Sequence, residues 1–324
     1  MISNGVTIVP ARTATAQRPV RLRRSELSTP GSNPKMIARA AASTADLAFL
    51  DLEDAVAPSA KVAARANIIA GLNDLDWGST IRAYRINGVH TPWCHGDLIE
   101  VVTGAGANID VVIVPKVKSP RDVWFVDDLL TQLEIACGLD VGRIGLEVLI
   151  EETESLACVE DIAASSPRLE ALILGLGDLS ASQGVRAGHI GVGADDARLA
   201  YPGDMWHYAR NRMIVAARAH GLDAIDGPFG NFADPDRYRR DAAWAATLGA
   251  VGKWCIHLSQ IALANDVFAP TEAEVDKAKA AVAAVREAEA RGIGAASLSG
   301  VMIDAATARI FETVLDRATR CGLV

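Results

Sequence analysis

The sequence contains no run of about 18 apolar residues, so no membrane-spanning helix is expected. Its five cysteines, Cys94, Cys137, Cys158, Cys255 and Cys321, are scattered and include no CxxC pair. That removes the basis for a disulfide framework or a thiolate zinc site and fits a reducing, cytoplasmic setting. The six histidines form no HExxH-type pair, and neither a GxGxxG fingerprint nor a Walker motif occurs. Positive charge is scarce: the 324 residues carry a formal net charge of −8. An acidic chain is a poor general binder of nucleic acid, although a local basic pocket stays open to it. The six tryptophans show no spacing that suggests a base-stacking platform, and core or interface packing accounts for them. Acid is missing from the first 25 residues, which hold Arg12, Arg18, Arg21, Arg23 and Arg24. Such starts occur in mitochondrial transit peptides. The plainer reading, a frayed tail over residues 1–23, is preferred, and the apolar stretch is too short and badly placed for a secretory signal.

What is present is an alternation of short apolar runs and helically spaced segments. Strands are expected near Glu26–Thr29, Leu47–Leu52, Thr80–Ile86, Val111–Val117, Ile144–Ile150, Leu169–Leu174, Ala224–Gly227 and Lys253–His257. Most are nearly continuous apolar runs, as strands covered on both faces should be. Helices are expected over Pro34–Ala45, Ser59–Leu72, Pro120–Cys137, Thr153–Ala164, Met205–His220 and Pro235–Leu248, with Ser32–Asn33 and Asp234 marking the starts of two that open on proline. Eight strand–helix repeats imply an α/β fold of the (β/α)8 TIM-barrel type, with an open doubly wound sheet as runner-up. The barrel is assigned to residues 24–270. Residues 271–324 exceed it: a charged, alanine-rich helix over Glu272–Arg291, a small-residue hinge over Gly292–Gly300 and an amphipathic segment over Asp304–Thr319. This helical extension is read as a lid or oligomerisation element. The Gly- and polar-rich Ser180–Gly203 loop is long enough to be functional or mobile.

Acids gather where strands end. DLED (Asp51–Asp54), LIEE (Leu149–Glu152) and GLGD (Gly175–Asp178) close strands two, five and six, and GVMID ends on Asp304. Carboxylates at one rim of a parallel barrel are a place for a divalent cation. Glu151 and Asp178, on adjacent strands, are the metal candidates; two carboxylates with several waters suit magnesium. The competing reading is that each acid caps the helix that follows, as Glu152 and Glu154 also suit. Alternation places Asp51 and Glu53 on one face. Arg85, in YRING, is the cation nearest in sequence logic, able to grip a substrate carboxylate through two hydrogen bonds or to pair with Glu53 structurally. Gly175–Gly177 and Pro30–Gly31 let backbone approach the site closely. His257 is read as a substrate contact or, more commonly for such a residue, a core histidine. Lys116 and Lys253 raise a Schiff-base aldolase as the alternative chemistry.

RSELSTPGSNP, FLDLEDAVAPSAK, YRINGVHTPW, IVPKV, LEVLIEET, ASSPRLEALILGLGDLSAS, DGPFGNFADPD and KWCIHLSQIALANDVFAP occur in this order from Arg24 onward. In them the chain resembles the HpcH/HpaI aldolase and citrate-lyase β-subunit family. The GIGAASLSGVMIDAA stretch resembles the long branch, the malyl-CoA and β-methylmalyl-CoA lyases. The resemblance implies a TIM barrel with a C-terminal lid, in homotrimers or homohexamers that exchange the lid between subunits. It implies magnesium, or manganese, on Glu151 and Asp178. It implies a 2-oxo acid held by Arg85, an acid/base at Asp304 delivered from a neighbouring subunit, and an acyl-CoA thioester contacted around Ser28, Asn33, Arg39, Glu53 and His257. Asn33 stands where some members carry an arginine, Leu258 where proline is usual, and Glu152 where a small residue is usual.

The implied reaction is reversible Claisen-type cleavage of malyl-CoA or β-methylmalyl-CoA to glyoxylate and acetyl-CoA or propionyl-CoA. Three alternatives remain at this point: a malyl-CoA thioesterase that admits water, a citramalyl-CoA lyase that yields pyruvate, and a non-catalytic acyl-CoA sensor.

Overall fold

The computed structural model describes residues 18–186, 190 and 203–324. In chain order it consists of β1 (Ser25–Pro30), α1 (Pro34–Ala41), β2 (Leu47–Asp51), α2 (Lys61–Asp74), β3 (Ile81–Arg85), α3 (Cys94–Ala105), β4 (Val111–Val114), α4 (Pro120–Ala136), β5 (Gly145–Ile150), α5 (Thr153–Ala157), α6 (Val159–Ala163), β6 (Leu169–Leu174), α7 (Leu176–Gln183), α8 (His207–Ala219), β7 (Asp223–Asp226), α9 (Pro235–Leu248), β8 (Gly252–Cys255), α10 (Ser259–Phe268), α11 (Glu272–Ala290), β9 (Ala295–Leu298), β10 (Val301–Asp304) and α12 (Ala305–Arg320). Strands β1 to β8 close in sequence order into a parallel barrel, with β1 pairing β8. All eight expected strands are found, shifted at their ends by a few residues. The chain divides into two compact units, Met1–Ala264 and Asn265–Val324. No helix among the described residues is long and apolar enough to cross a membrane.

Period-two alternation decides what fills the barrel. Leu47 and Phe49 of β2, Ala83 of β3, Val111 and Ile113 of β4, Leu149 of β5, Ala171 and Ile173 of β6, Ile225 of β7 and Trp254 of β8 form the buried interior. Continuing those series by two residues toward the C-terminal strand ends reaches Asp51, Arg85 and Glu151. At the opposite end, Arg23 is buried and pairs Glu147 at 2.7 Å, Asp223 at 3.1 Å and Glu170. Arg21 joins Glu170 at 2.8 Å. Both arginines lie in the stretch read as a frayed tail, where they tie the start of the chain to the barrel floor.

Several local expectations change. The helix expected over Thr153–Ala164 is two short helices separated at Cys158. Ser180–Gln183 belongs to α7 rather than to a loop, and most of the remaining Ser180–Gly203 segment lies outside the described residues. The Gly292–Gly300 hinge holds most of an antiparallel hairpin, β9–β10. Ser299 and Gly300 have φ of 49° and 81°, and consecutive positive φ values make the tight turn whose twist matches paired strands. In this second unit a capping box of Thr271 and Glu274 starts α11, and Ala281, Val285, Ile303 and Ala308 form its core.

Candidate active site

Asp51 and Arg85 are register partners across β2 and β3. The guanidinium donates from Nε and Nη2 to the two Asp51 oxygens at 2.7 and 2.6 Å. Its carbon stands 5.5 Å from the Trp254 ring centre. Burial pushes the Asp51 carboxyl up, but Arg85 overcomes this and holds it below its ordinary range. Nη1 of Arg85 lies 2.9 Å from Glu53 Oε2. The N–H does not point at that oxygen, so the approach is a charge contact, and among the described residues no donor bonds Glu53 Oε2. The expected Arg85–Glu53 pair is therefore present but secondary. The main-chain N–H of Glu53 is held by Asp51 at 2.9 Å.

Glu151 follows β5 directly and is almost wholly buried. Its Oε1 accepts the Lys116 main-chain N–H at 2.7 Å. Burial pushes its carboxyl up to about 8; Arg85 opposes that, and the negative charges of Asp178 and Glu53 add to it. A cation shared with Asp178 would reverse this penalty. Gly175 makes the arrangement sterically possible: a Cβ there would meet Glu151 Cβ at 2.3 Å and Oε2 at 2.5 Å. Asp178 does not end β6, as the sequence suggested. The chain turns at Gly175, α7 begins at Leu176, and Asp178 sits in its first turn. The helix-cap alternative applies to Glu152, the N-cap of α5, with Glu154 in its first turn. Among the described residues no three His, Cys, Asp or Glu side chains form a closed metal cage. Two carboxylates fit a hard cation whose other positions are filled by water and an oxygen-rich ligand.

The sequence shows neither the role of Lys61 nor that of Lys116. Lys116 was read only as a potential nucleophile. Its ammonium pairs with Glu53, lies 3.2 Å from Asp54 and stands 3.7 Å from Asp178. Burial alone would lower its pKa, but Glu53, Asp54 and Asp178 raise it further above the ordinary value. An amine held protonated is a poor nucleophile, which argues against Schiff-base chemistry at this position. The order of the barrel contains the missed signal: β4, which Lys116 follows, lies between the strands that supply Arg85 and Glu151. Lys253, the other candidate nucleophile, is buried on Asp226 at 2.5 Å and the Gly227 carbonyl at 2.6 Å. Lys61 donates to the Leu52 and Glu53 carbonyls at 2.9 and 2.7 Å and to Asn87 at 2.6 Å, fixing the backbone that carries Glu53.

Ser28, Arg39 and His257 come together around a cleft of about 70 Å³ lined also by Leu27, Met36 and Ile256. His257 is exposed rather than a core residue; it stacks on Phe232 at 4.8 Å and bonds Ser259 at 2.8 Å. Asn33 caps α1, accepting from the Met36 N–H at 3.2 Å. Asp304 belongs to the second unit and caps α12, accepting from Thr307 N and Oγ1, both at 2.9 Å. Those bonds hold its carboxyl below the ordinary range.

The HpcH/HpaI aldolase/citrate lyase family profile matches residues 24–258. An L-malyl-CoA/beta-methylmalyl-CoA lyase of Cereibacter sphaeroides is 43% identical over 305 residues, 93% of this chain and 96% of that protein. A malyl-CoA/beta-methylmalyl-CoA/citramalyl-CoA lyase of Chloroflexus aurantiacus is 36% identical over 280 residues, covering 83% and 79%. Among solved structures, protein CitE of Mycobacterium tuberculosis in complex with magnesium, acetoacetate and coenzyme A superposes with a TM-score of 0.72 at 29% identity, covering 93% of this chain and 99% of the other.

Proposed function

The chain belongs to the HpcH/HpaI aldolase/citrate lyase family, and on that premise we propose that it is a divalent-metal-dependent carbon–carbon lyase acting on malyl-CoA or β-methylmalyl-CoA. Glu151 and Asp178 carry this reading. A buried carboxyl pushed up to about 8 beside a second acid, at the C-terminal mouth of the barrel, calls for a cation. Glu151 and Asp178 would hold magnesium, with manganese the other candidate; when bound, the ion supplies Lewis-acid stabilisation of negative oxygen.

This chain's own groups supply the rest. In cleavage the hydroxyl of the CoA thioester passes its proton to water, the bond to the thioester α-carbon breaks, and glyoxylate departs while the α-carbon takes up a proton. Arg85, fixed by Asp51, presents its remaining N–H groups to the carboxylate and to the oxygen that gains charge. Glu53 Oε2 is an open acceptor for a donor on substrate or water. Asp304 exchanges the proton at the α-carbon. The Ser28, Arg39 and His257 cleft, with Asn33 on the adjoining turn, is assigned to the CoA moiety. The second unit exposes Val301, Met302 and Ile310, which supports its burial against another copy in a homotrimer or homohexamer that delivers Asp304 in trans. Cys94, Cys137, Cys158 and Cys255 are free thiols, in keeping with a cytoplasmic setting.

The test is incubation of the purified protein with magnesium, glyoxylate and either acetyl-CoA or propionyl-CoA, with products read by mass. The expected products are malyl-CoA and β-methylmalyl-CoA. Free CoA without a condensed thioester identifies a thioesterase instead, product only with pyruvate a citramalyl-CoA lyase, and ligand binding without turnover a sensor.

A further inference from the structure

We propose that Lys116 is a positioning residue that sorts the acids of the barrel mouth, pairing with Glu53 and Asp54 so that Glu151 and Asp178 are the carboxylates left for the cation. The proposal rests on the lyase reading above for its kinetic consequence and on geometry for the rest.

Lys116 has φ 52°. Among the described residues only Lys116 and Ser299 combine a side chain with positive φ, and Ser299 is explained by its hairpin turn. A left-handed lysine is strained and persists only where its surroundings impose it. Here the conformation lets one residue address four acids. The main-chain N–H orients Glu151 Oε1 at 2.7 Å. The side chain runs to Glu53, to Asp54 at 3.2 Å and to Asp178 at 3.7 Å.

The other cations nearby give their hydrogen bonds elsewhere. Arg85 gives two to Asp51 and meets Glu53 only as a charge contact at 2.9 Å, and the Lys61 ammonium is spent on two carbonyls and Asn87. Among the described residues Lys116 is the one basic side chain in ion-pair range of Asp178. Without it, Glu53, Asp54, Glu151 and Asp178 would all compete for a hard cation. With it, Glu53 and Asp54 share a counter-charge and Glu151 is oriented.

This role has a sign that simple structural support lacks. An ammonium 3.7 Å from Asp178 repels a dication on the same carboxylate. Unit charges at such a separation interact strongly in a partly buried setting, and the part-exposed side chain reduces that to the equivalent of about tenfold in affinity. Removing the charge is therefore expected to tighten magnesium binding while impairing turnover, because Glu53 loses its hydrogen-bond donor and the acids rearrange.

The experiment is calorimetric titration of magnesium into full-length wild type, Lys116→Gly, Lys116→Met and Lys116→Arg without substrate, with kcat and KM measured for glyoxylate. Lys116→Gly keeps the N–H to Glu151 and relaxes the backbone; Lys116→Met keeps length without charge; Lys116→Arg keeps charge. The expected result is about tenfold tighter magnesium in the glycine and methionine variants with a lower kcat, and near-wild-type affinity in the arginine variant. Unchanged or weaker magnesium binding by Lys116→Gly overturns the proposal, and that variant decides if Lys116→Met does not fold. If wild type binds magnesium but makes no condensed thioester, the lyase reading fails, while the affinity pattern still decides the role of Lys116.

Discussion

Asp51 and Arg85 face each other across the paired ends of β2 and β3 and share two hydrogen bonds of 2.7 and 2.6 Å. The pair fixes the plane of the guanidinium over the Trp254 ring. A planar donor set locked in this way is preorganised for a carboxylate and a developing oxyanion, which a rotating ammonium is not.

Arg85→Lys keeps the charge and loses the fork. We expect kcat to fall by about 100-fold or more, the size associated with losing one preorganised donor, together with a raised KM for glyoxylate. Steady-state kinetics with magnesium in excess measure both. Near-normal turnover would reduce Arg85 to a structural partner of Asp51.

Gly175→Ala drives a methyl group into the Glu151 side chain, whose Cβ and Oε2 lie 2.3 and 2.5 Å from the added carbon. The carboxylate must move, so magnesium affinity should drop by about 10- to 100-fold, as when a ligand's supporting contacts are lost. Unfolding should show the smaller cost of an overpacked site, about 1–3 kcal/mol. Calorimetry with magnesium alone separates the two effects.

Asp304→Asn preserves the cap of α12, because asparagine caps as well as aspartate, and removes the proton-transfer group. Turnover is expected to vanish while magnesium and glyoxylate binding remain. A variant that turns over normally would show that Asp304 takes no part in the chemistry.

Glu26 is a buried carboxyl inside the barrel, its Oε2 accepting from the Trp254 indole N–H at 2.8 Å and its Oε1 without a hydrogen-bond partner among the described residues. Burial, and then the charge of Glu147, push its pKa well above the ordinary value. The folded protein thus binds a proton more tightly than the unfolded chain. Its contribution to stability is complete below about pH 4.5 and declines as pH rises toward the folded value, by up to about 1.4 kcal/mol per pH unit. Glu26→Gln, which stays neutral, should flatten that decline and be the more stable protein at pH 8. Urea midpoints across pH 5–8 for both proteins check it.

Much of the barrel was legible because its pattern is local. Short apolar runs separated by helical spacing, with Asn33–Pro34 and Asp234–Pro235 marking helix starts, mark out the strand–helix alternation without reference to distant contacts. The acids at strand ends were legible for the same reason: alternation alone puts Asp51, Arg85 and Glu151 in the inward series. Asp178 was placed one element too early, because nothing before folding distinguishes the last strand residue from the first helical turn when glycine separates them. The hairpin of the second unit was missed because its small residues read as a flexible joint, while the turn depends on backbone angles at Ser299 and Gly300.

What the sequence by itself determined was the order of elements and the set of groups presented at the mouth, since both follow from periodicities of two and 3.6 residues. Which groups hold one another was decided only by closure of the barrel. Arg85 finds Asp51 because β2 and β3 pair in one register. Lys116 becomes a charge clamp rather than a nucleophile because closure brings the end of β4 within ion-pair range of Glu53 and Asp54, which follow β2, and of Asp178 in α7. Ion pairing depends on distances of a few ångströms between residues dozens apart in the chain, and only the folded backbone sets them.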